Sequence, residues 1–383
     1  MRAFWACVLV ICIALSAIAA TQRHEATHLP LIINLEWSSA YDDNIFLFSE
    51  RDLHRWANGT LIVPNPNSTW DDWRNDLGIT LTLPWKHPNM PDWETRVQGS
   101  AKAALYAVNH RKNYQRYSAG VRQAFGREFW AELSFAIVPS FYLREFRDID
   151  LNQLPYLSRF AGCTYESRTY NLTLRYQSPW RTYFYPELEF KTLYYNRYFT
   201  EFDAQWTTLG LTAEQLFSKG GTRSVVSQSS QWLLRGSYRF TNGDNVGGGG
   251  LTAASPDEDT EYGNGNFHEN EFGLSASYRA RSILRKQWEF SMDGKLRIRD
   301  YTTNKIISAD PFHAGRRDIR WDLVPELTVD IIRNLSVYAN FTYQQRRTGS
   351  DVGYVVEIKS FVHRVYTAGL EFQLRPPPHR RRR

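Results

Sequence analysis

The sequence predicts an all-β chain closed into a transmembrane antiparallel β-barrel of about fourteen strands. Three observations carry that expectation. Trp288 to Arg299 alternates, with Trp288, Phe290, Met292, Gly294, Leu296 and Ile298 opposite Glu289, Ser291, Asp293, Lys295, Arg297 and Arg299. A strand sends successive side chains to opposite faces, so this stretch has one apolar wall and one charged wall. The pattern recurs along the chain in runs of about ten residues, the length that crosses a bilayer at a tilt. The connections also alternate between tight and extended, which gives the sheet one rim of short turns and another of long loops.

The first strand opens with Ile33, Leu35 and Trp37 against Asn34, Glu36 and Ser38, and is expected to run on through Tyr41 to Phe46. After a hydrophilic connection, Leu77, Ile79, Leu81, Leu83 and Trp85 form the next apolar face, and His87 to Pro91 makes a compact turn. Val97, Gly99, Ala101, Ala103 and Leu105 mark the third strand, and Tyr117, Ala119 and Val121 the fourth. Leu133, Phe135, Ile137, Phe141 and Leu143 are assigned to one face of the fifth. Tyr170, Leu172, Leu174 and Tyr176 follow in the sixth, then Phe184, Pro186, Leu188, Phe190 and Tyr194 in the seventh. The eighth loses its alternation near Thr208 and Leu209, where a bulge is expected. Trp232, Leu234, Tyr238 and Phe240 line the ninth, and a long loop leads to Phe272, Leu274, Ala276, Tyr278 and Ala280 in the tenth. Beyond Trp288 to Arg299 come Trp321, Leu323, Pro325, Leu327, Val329 and Ile331, then Val337, Ala339, Phe341 and Tyr343, and finally Tyr366, Ala368, Leu370 and Phe372. Trp and Tyr gather near strand ends, as interfacial aromatic girdles require.

Composition agrees. Mean hydropathy is -0.49 and aromatic residues make up 15% of the chain. After the N-terminus no run approaches the ~18 apolar residues of a membrane helix, which excludes helical spans and leaves a barrel open. Met1 to Ala19 reads as a signal peptide: Arg2 is its charged start, Ala6 to Ala14 its apolar core and Ala17 to Ala19 its cleavage motif. Residues 20–30 are then a periplasmic leader, 31–374 the barrel and 375–383 a basic periplasmic tail ending in Arg380 to Arg383. Once the signal is removed, Cys163 is the one remaining cysteine, so stability must come from backbone pairing instead of disulfides.

With the apolar faces toward lipid, the opposite faces enclose a lumen. The residues expected to line it include Arg235, Arg239, Arg279, Arg281, Glu289, Asp293, Lys295, Arg297, Arg299, Arg320, Asp322, Glu326 and Asp330. Burying unpaired ions costs several kcal/mol each, so mixed charge of this density implies water inside. The basic stretch from Arg279 to Arg320 supports two readings: a wall selective for anionic or sugar-like solutes, or a salt-bridged ladder that stiffens the sheet. No phosphate loop, dinucleotide fingerprint, paired-cysteine motif or zinc-helix motif occurs, and no spacing singles out a nucleophile. Neither His24 and His28 nor Asp257 to Asp259 has a ligand set that requires a metal. No enzymatic activity, cofactor, metal or nucleic-acid partner is therefore expected.

Tyr41-Asp42-Asp43-Asn44-Ile45-Phe46 and the closing segment Val365-Tyr366-Thr367-Ala368-Gly369-Leu370-Glu371-Phe372 resemble the first and last strands of bacterial outer-membrane β-barrel porins. That group includes members associated with exopolysaccharide export. The resemblance implies a Gram-negative outer membrane, short periplasmic turns and long extracellular loops. It also implies contact with outer-membrane lipid and lipopolysaccharide, and delivery by the barrel-assembly machinery, with Phe372 in the place of the terminal aromatic signal. The expected function is a porin-like channel for small polar or anionic solutes; the alternative is a non-conducting barrel serving as accessory or anchor in surface polysaccharide export.

Overall fold

A computed structural model describes residues 31–60, 68–148, 159–218, 230–247, 265–281, 286–332 and 334–374. The segments expected to be signal peptide, leader and basic tail lie outside these residues, as do His24, His28 and Asp257 to Asp259. The chain rises and falls through β1 (Ile32–Asp42), β2 (Asp72–His87), β3 (Met90–Tyr106), β4 (Tyr114–Phe125), β5 (Phe129–Asp148), β6 (Arg159–Gln177) and β7 (Thr182–Tyr195). It continues through β8 (Ala204–Ser218), β9 (Gln231–Asn245), β10 (Phe267–Arg281), β11 (Gln287–Tyr301), β12 (Arg317–Ile332), β13 (Leu335–Gly349) and β14 (Phe361–Leu374). Each strand pairs antiparallel with its sequence neighbours, and β14 closes on β1, with Ile33 opposite Leu374 and Asp42 opposite Val365. Closure leaves no strand edge, so every backbone ladder is satisfied within the protein, the condition for crossing a hydrocarbon layer.

The connections after β2, β4, β6, β10 and β12 are short and those after β1, β5, β9, β11 and β13 are long, matching the sequence reading. The connection between β8 and β9, from Ser218 to Gln231, is an exception in length to the short set. Gly126 has φ +98 in the β4–β5 turn, a conformation that L side chains rarely adopt. The long-loop rim carries two short helices, α1 (Glu50–Ala57) and α2 (Gly353–Lys359). Ser49 starts α1, its hydroxyl accepting the Asp52 N–H at 3.1 Å, with Glu50 and Asp52 in the first turn.

Register confirms the alternation for most strands and fixes the faces. Leu133, Leu209 and Leu274 stand outside with 63%, 59% and 64% of their surface exposed, alongside Trp232, Trp321 and Tyr366. An apolar band encircling the molecule calls for a hydrocarbon environment.

Three expectations change. β1 stops at Asp42, short of Phe46, because the Asp42 carboxylate accepts the Asn44 N–H at 3.0 Å and turns the chain. Asn44 then braces the turn: its side chain accepts from Phe48 N at 2.8 Å and donates to Phe48 O at 2.8 Å and Val362 O at 3.1 Å. β8 pairs without interruption on both sides, so it holds no bulge at Thr208 or Leu209. The apparent slip comes from Trp206, an aromatic on the inner face with the Lys191 ammonium 4.7 Å from its ring. The irregularity lies in β5 instead, where register shifts between Val138 and Phe141 and again between Tyr142 and Glu145. The first shift carries Phe141 inward, against Tyr165 and Tyr114, away from the face of Leu133 and Phe135.

Candidate functional site: the barrel interior

Parity places Arg235, Arg239, Arg279, Glu289, Asp293, Lys295, Arg297, Arg299, Arg320, Asp322, Glu326 and Asp330 on the face opposite the apolar band. The Arg281 side chain lies outside the described residues. Neighbouring strands set the charges against one another. Arg279 Nε donates to Glu289 at 2.7 Å, Arg299 Nε to Glu269 at 2.8 Å, and Arg235 Nη2 to Glu214 at 2.6 Å. Arg297 bridges two strands, reaching Glu271 at 2.5 Å and Asp322 at 3.0 Å, while Arg320 Nε meets Asp322 at 3.2 Å. Glu326 accepts from Asn340 at 3.2 Å and Asp330 from Ser336 at 2.8 Å. Asp293 stands opposite Ser275 and Val324, and the exposed Lys295 between Gly273 and Asp322. The stretch from Arg279 to Arg320 is thus largely a salt-bridged ladder.

Some contacts skip a strand, which the concave inner face permits where the intervening residue is glycine. Lys102 on β3 meets Glu36 on β1 at 2.5 Å across Gly78, and Arg239 on β9 meets Glu187 and Glu189 on β7 at 3.4 and 3.2 Å across Gly210. Tyr338 lies over Gly369, where a Cβ would sit 2.5 Å from its ring. Arg299 spans further, 5.7 Å from the ring of Trp206 on β8.

Solvent access falls along the β9–β12 wall. Arg235 and Arg279, nearest the short turns, keep 48% and 52% of their side-chain surface open, whereas Arg297 and Arg299 keep 21% and 26%. At the long-loop rim the Arg316–Asp318 pair, 2.6 Å apart, is almost closed off at 4% and 6%.

The loops account for that closure. The segment after β1 folds inward, so that Phe48 lies 5.8 Å from the Arg144 guanidinium of β5, three strands beyond β2. Phe46 and Phe48 pack on Trp56 of α1 at 6.1 and 5.5 Å. From the other side Phe312 meets Tyr354 and Lys359 of α2, and Arg51 of α1 pairs with Glu357 of α2 at 2.6 Å. Buried Asp310 accepts from His313 at 2.9 Å and anchors the loop before β12. Lys112, 4% exposed, has its ammonium 4.7 Å from the Phe46 ring and 5.6 Å from that of Phe141. Burial pulls this lysine down to about 7, with Arg144 adding to the effect and Asp42 opposing it.

An apolar exterior, a charged and partly open interior, short turns on one rim and packed loops on the other leave one assignment. The chain is an outer-membrane β-barrel. No protein-family model and no curated protein matches it. Among solved structures, a bacterial polysaccharide outer membrane secretin aligns at 12% identity and TM-score 0.42, over 92% of this chain and 100% of that one. The anion-selective porin from Comamonas acidovorans aligns at 8% and 0.39, over 90% and 99%. Outer membrane protein opdK from Pseudomonas aeruginosa aligns at 10% and 0.36, over 90% and 99%. Identities and scores this low carry no functional weight.

The sequence pattern missed several interior groups. Lys112, Phe46 and Phe48 sit in loops without periodicity. Trp130 and Arg175 lie on the charged faces of β5 and β6 and could have been found by extending the same parity count. Among the described residues no group of three His, Cys, Asp or Glu side chains is gathered to hold a metal ion.

Proposed function

We propose that this barrel is a porin-like channel that passes small polar or anionic solutes across the outer membrane through a charged, water-filled interior. The observation that carries this reading is the openness of an inward-facing ion away from either rim: Lys295, near the middle of β11, points into a closed barrel and is exposed. An ion so placed is hydrated, because leaving it dry and half-paired would cost several kcal/mol. Fourteen strands fall between the eight that side chains fill and the sixteen to eighteen that leave a wide aqueous pore, which favours a narrow path. Ion pairing mutes the basic wall, so the expected anion preference is mild and rests on cations such as Lys295 that project into the lumen.

Single-channel recording of the purified, refolded protein in a planar bilayer tests the reading. Discrete conductance steps with reversal potentials displaced toward anions are expected. The packed loop rim, with Phe48 reaching Arg144 across the mouth, favours a second reading: a barrel that does not conduct and serves as anchor or accessory in surface polysaccharide export. Electrical silence of correctly folded protein would select it.

A further inference from the structure

On the β3–β7 side, near the short turns, the inner wall interleaves guanidinium groups with aromatic rings and amides. At the edge of this wall a recess of about 250 Å³ extends toward β1 and β2, lined by Asn34, Thr82, Arg96, Gln98, Arg122 and Glu132, among others. Arg96 and Arg122 stand directly opposite one another on β3 and β4, each steadied by a carboxylate: Glu94 touches Arg96, and Glu132 meets Arg122 at 2.5 Å. Gln373 donates to Asn34 at 2.6 Å on the facing side of the recess.

The wall continues as an aromatic platform. The Arg122 guanidinium lies 4.3 Å from the Trp130 ring, Trp130 is paired across the sheet with Arg175, and the Arg175 guanidinium lies 4.2 Å from the Tyr183 ring. Tyr185 completes it, 6.1 Å from Trp130. Arg175 forms no ion pair among the described residues, and its Nε is buried without a hydrogen-bond partner. The side chain is only half-buried, so a guanidinium held against a ring and without a carboxylate partner offers its Nη groups to an anionic acceptor.

We propose that the recess and platform form a binding subsite for a carboxylated saccharide of the uronic-acid type at the periplasmic end of the barrel. Each part of such a ligand meets its complement. Within an oligomer of such units, the C–H face of one pyranose stacks on Trp130 and Tyr183 while its carboxylate takes the Nη groups of the intervening Arg175, and hydroxyls of neighbouring units exchange hydrogen bonds with Asn34, Gln98 and Thr82. A simple dicarboxylate would leave the rings and amides idle, and a neutral sugar would leave Arg175 unused. The subsite narrows the solute class of the proposed channel and draws its physiological role from that reading, although binding itself requires no conduction.

The test is isothermal titration of the full chain in detergent at low salt with tri-galacturonic acid, alongside maltotriose as the neutral sugar and glutarate as the ringless anion. Tri-galacturonic acid is expected to bind at least about tenfold more tightly than either control. Arg175→Gln and Trp130→Leu should each weaken it by about tenfold, and Arg175→Lys by less, because the charge survives without the fork. Arg364→Gln, at the opposite rim, should leave affinity unchanged. Equal affinity for glutarate or maltotriose, absence of binding, or indifference to the Arg175 and Trp130 substitutions would overturn the subsite. If heat-dependent gel mobility shows that Arg175→Gln misfolds, Tyr183→Leu removes the platform independently. Binding by an electrically silent barrel would retain the subsite and reject the channel; conductance without binding would do the reverse.

Discussion

Lys112 makes the docking of the first long loop depend on pH. In the docked state the ammonium is buried against Phe46 and Phe141, and burial lowers it from 10.5 to about 7. When the segment carrying Phe46 and Phe48 lifts away, Lys112 is hydrated and returns toward its ordinary value. The facing charges are Asp42 on β1, which also takes a 2.8 Å contact from His363 on β14, and Arg144 on β5. Below pH 7 the lysine is charged in both states, and docking carries the full desolvation cost. Between pH 7 and 10.5 the released state binds a proton that the docked state lacks, so docking strengthens with pH by up to about tenfold per unit. A displacement of this size is worth on the order of 5 kcal/mol. Lys112→Met, which keeps the stem and removes the charge, should abolish the dependence and hold the loop docked at pH 6. Hydrogen exchange reads this directly through the amides of Phe48 and Leu53, which bond to Asn44 Oδ1 at 2.8 Å and Ser49 O at 2.9 Å. After correction for intrinsic rates, wild-type protection should be flat below pH 7 and climb above it, while the variant stays high throughout. A flat wild-type profile, or lower protection in Lys112→Met at pH 6, would refute the reasoning.

Three other outcomes follow from the same geometry. Replacing Arg297 and Arg299 by Ser frees Glu271 and Glu269 from their partners and leaves Asp322 to Arg320 and Gln344, so the reversal potential across a KCl gradient should move toward cations; an unchanged potential would show that this part of the wall does not face the conducting path. Gly369→Val forces a side chain into the Tyr338 ring and should cost roughly 1–3 kcal/mol in urea titrations of the vesicle-inserted barrel, with Tyr338→Ala restoring most of it; a neutral Gly369→Val would mean that the ring swings away freely. Leu274→Arg, on the outer band, should cost about 2–4 kcal/mol in the same assay if it lies near the bilayer midplane, and a negligible cost would place that face in water.

What could be read in advance follows from how far each contact reaches along the chain. Strand faces are local: Leu296 and Arg297 reveal opposite sides by adjacency alone, so most strand faces of the barrel were legible, among them the side of the sheet that carries Arg235 to Asp330 with the undescribed Arg281 side chain aside. Partners are not local. Glu271 could be matched to Arg297 only once the β10–β11 register was fixed, and it is this match that turns a basic run into a ladder. The sequence pattern failed where a residue broke the two-fold period for a tertiary reason. Trp206 looked like a slip because an aromatic stands on the inner face, and Phe141 was assigned outward because one extra residue after Val138 inverts the count without leaving a compositional trace. The loop rim was the least legible part. Phe46, Phe48 and Lys112 come from two connections, and nothing short of the closed barrel brings them together with Arg144. Any selectivity that resides in this barrel therefore divides in the same way. Contributions from the ladder follow from register, whereas those from the mouth depend on loop packing that a few local changes, Lys112 foremost, can reset without disturbing a single strand pair.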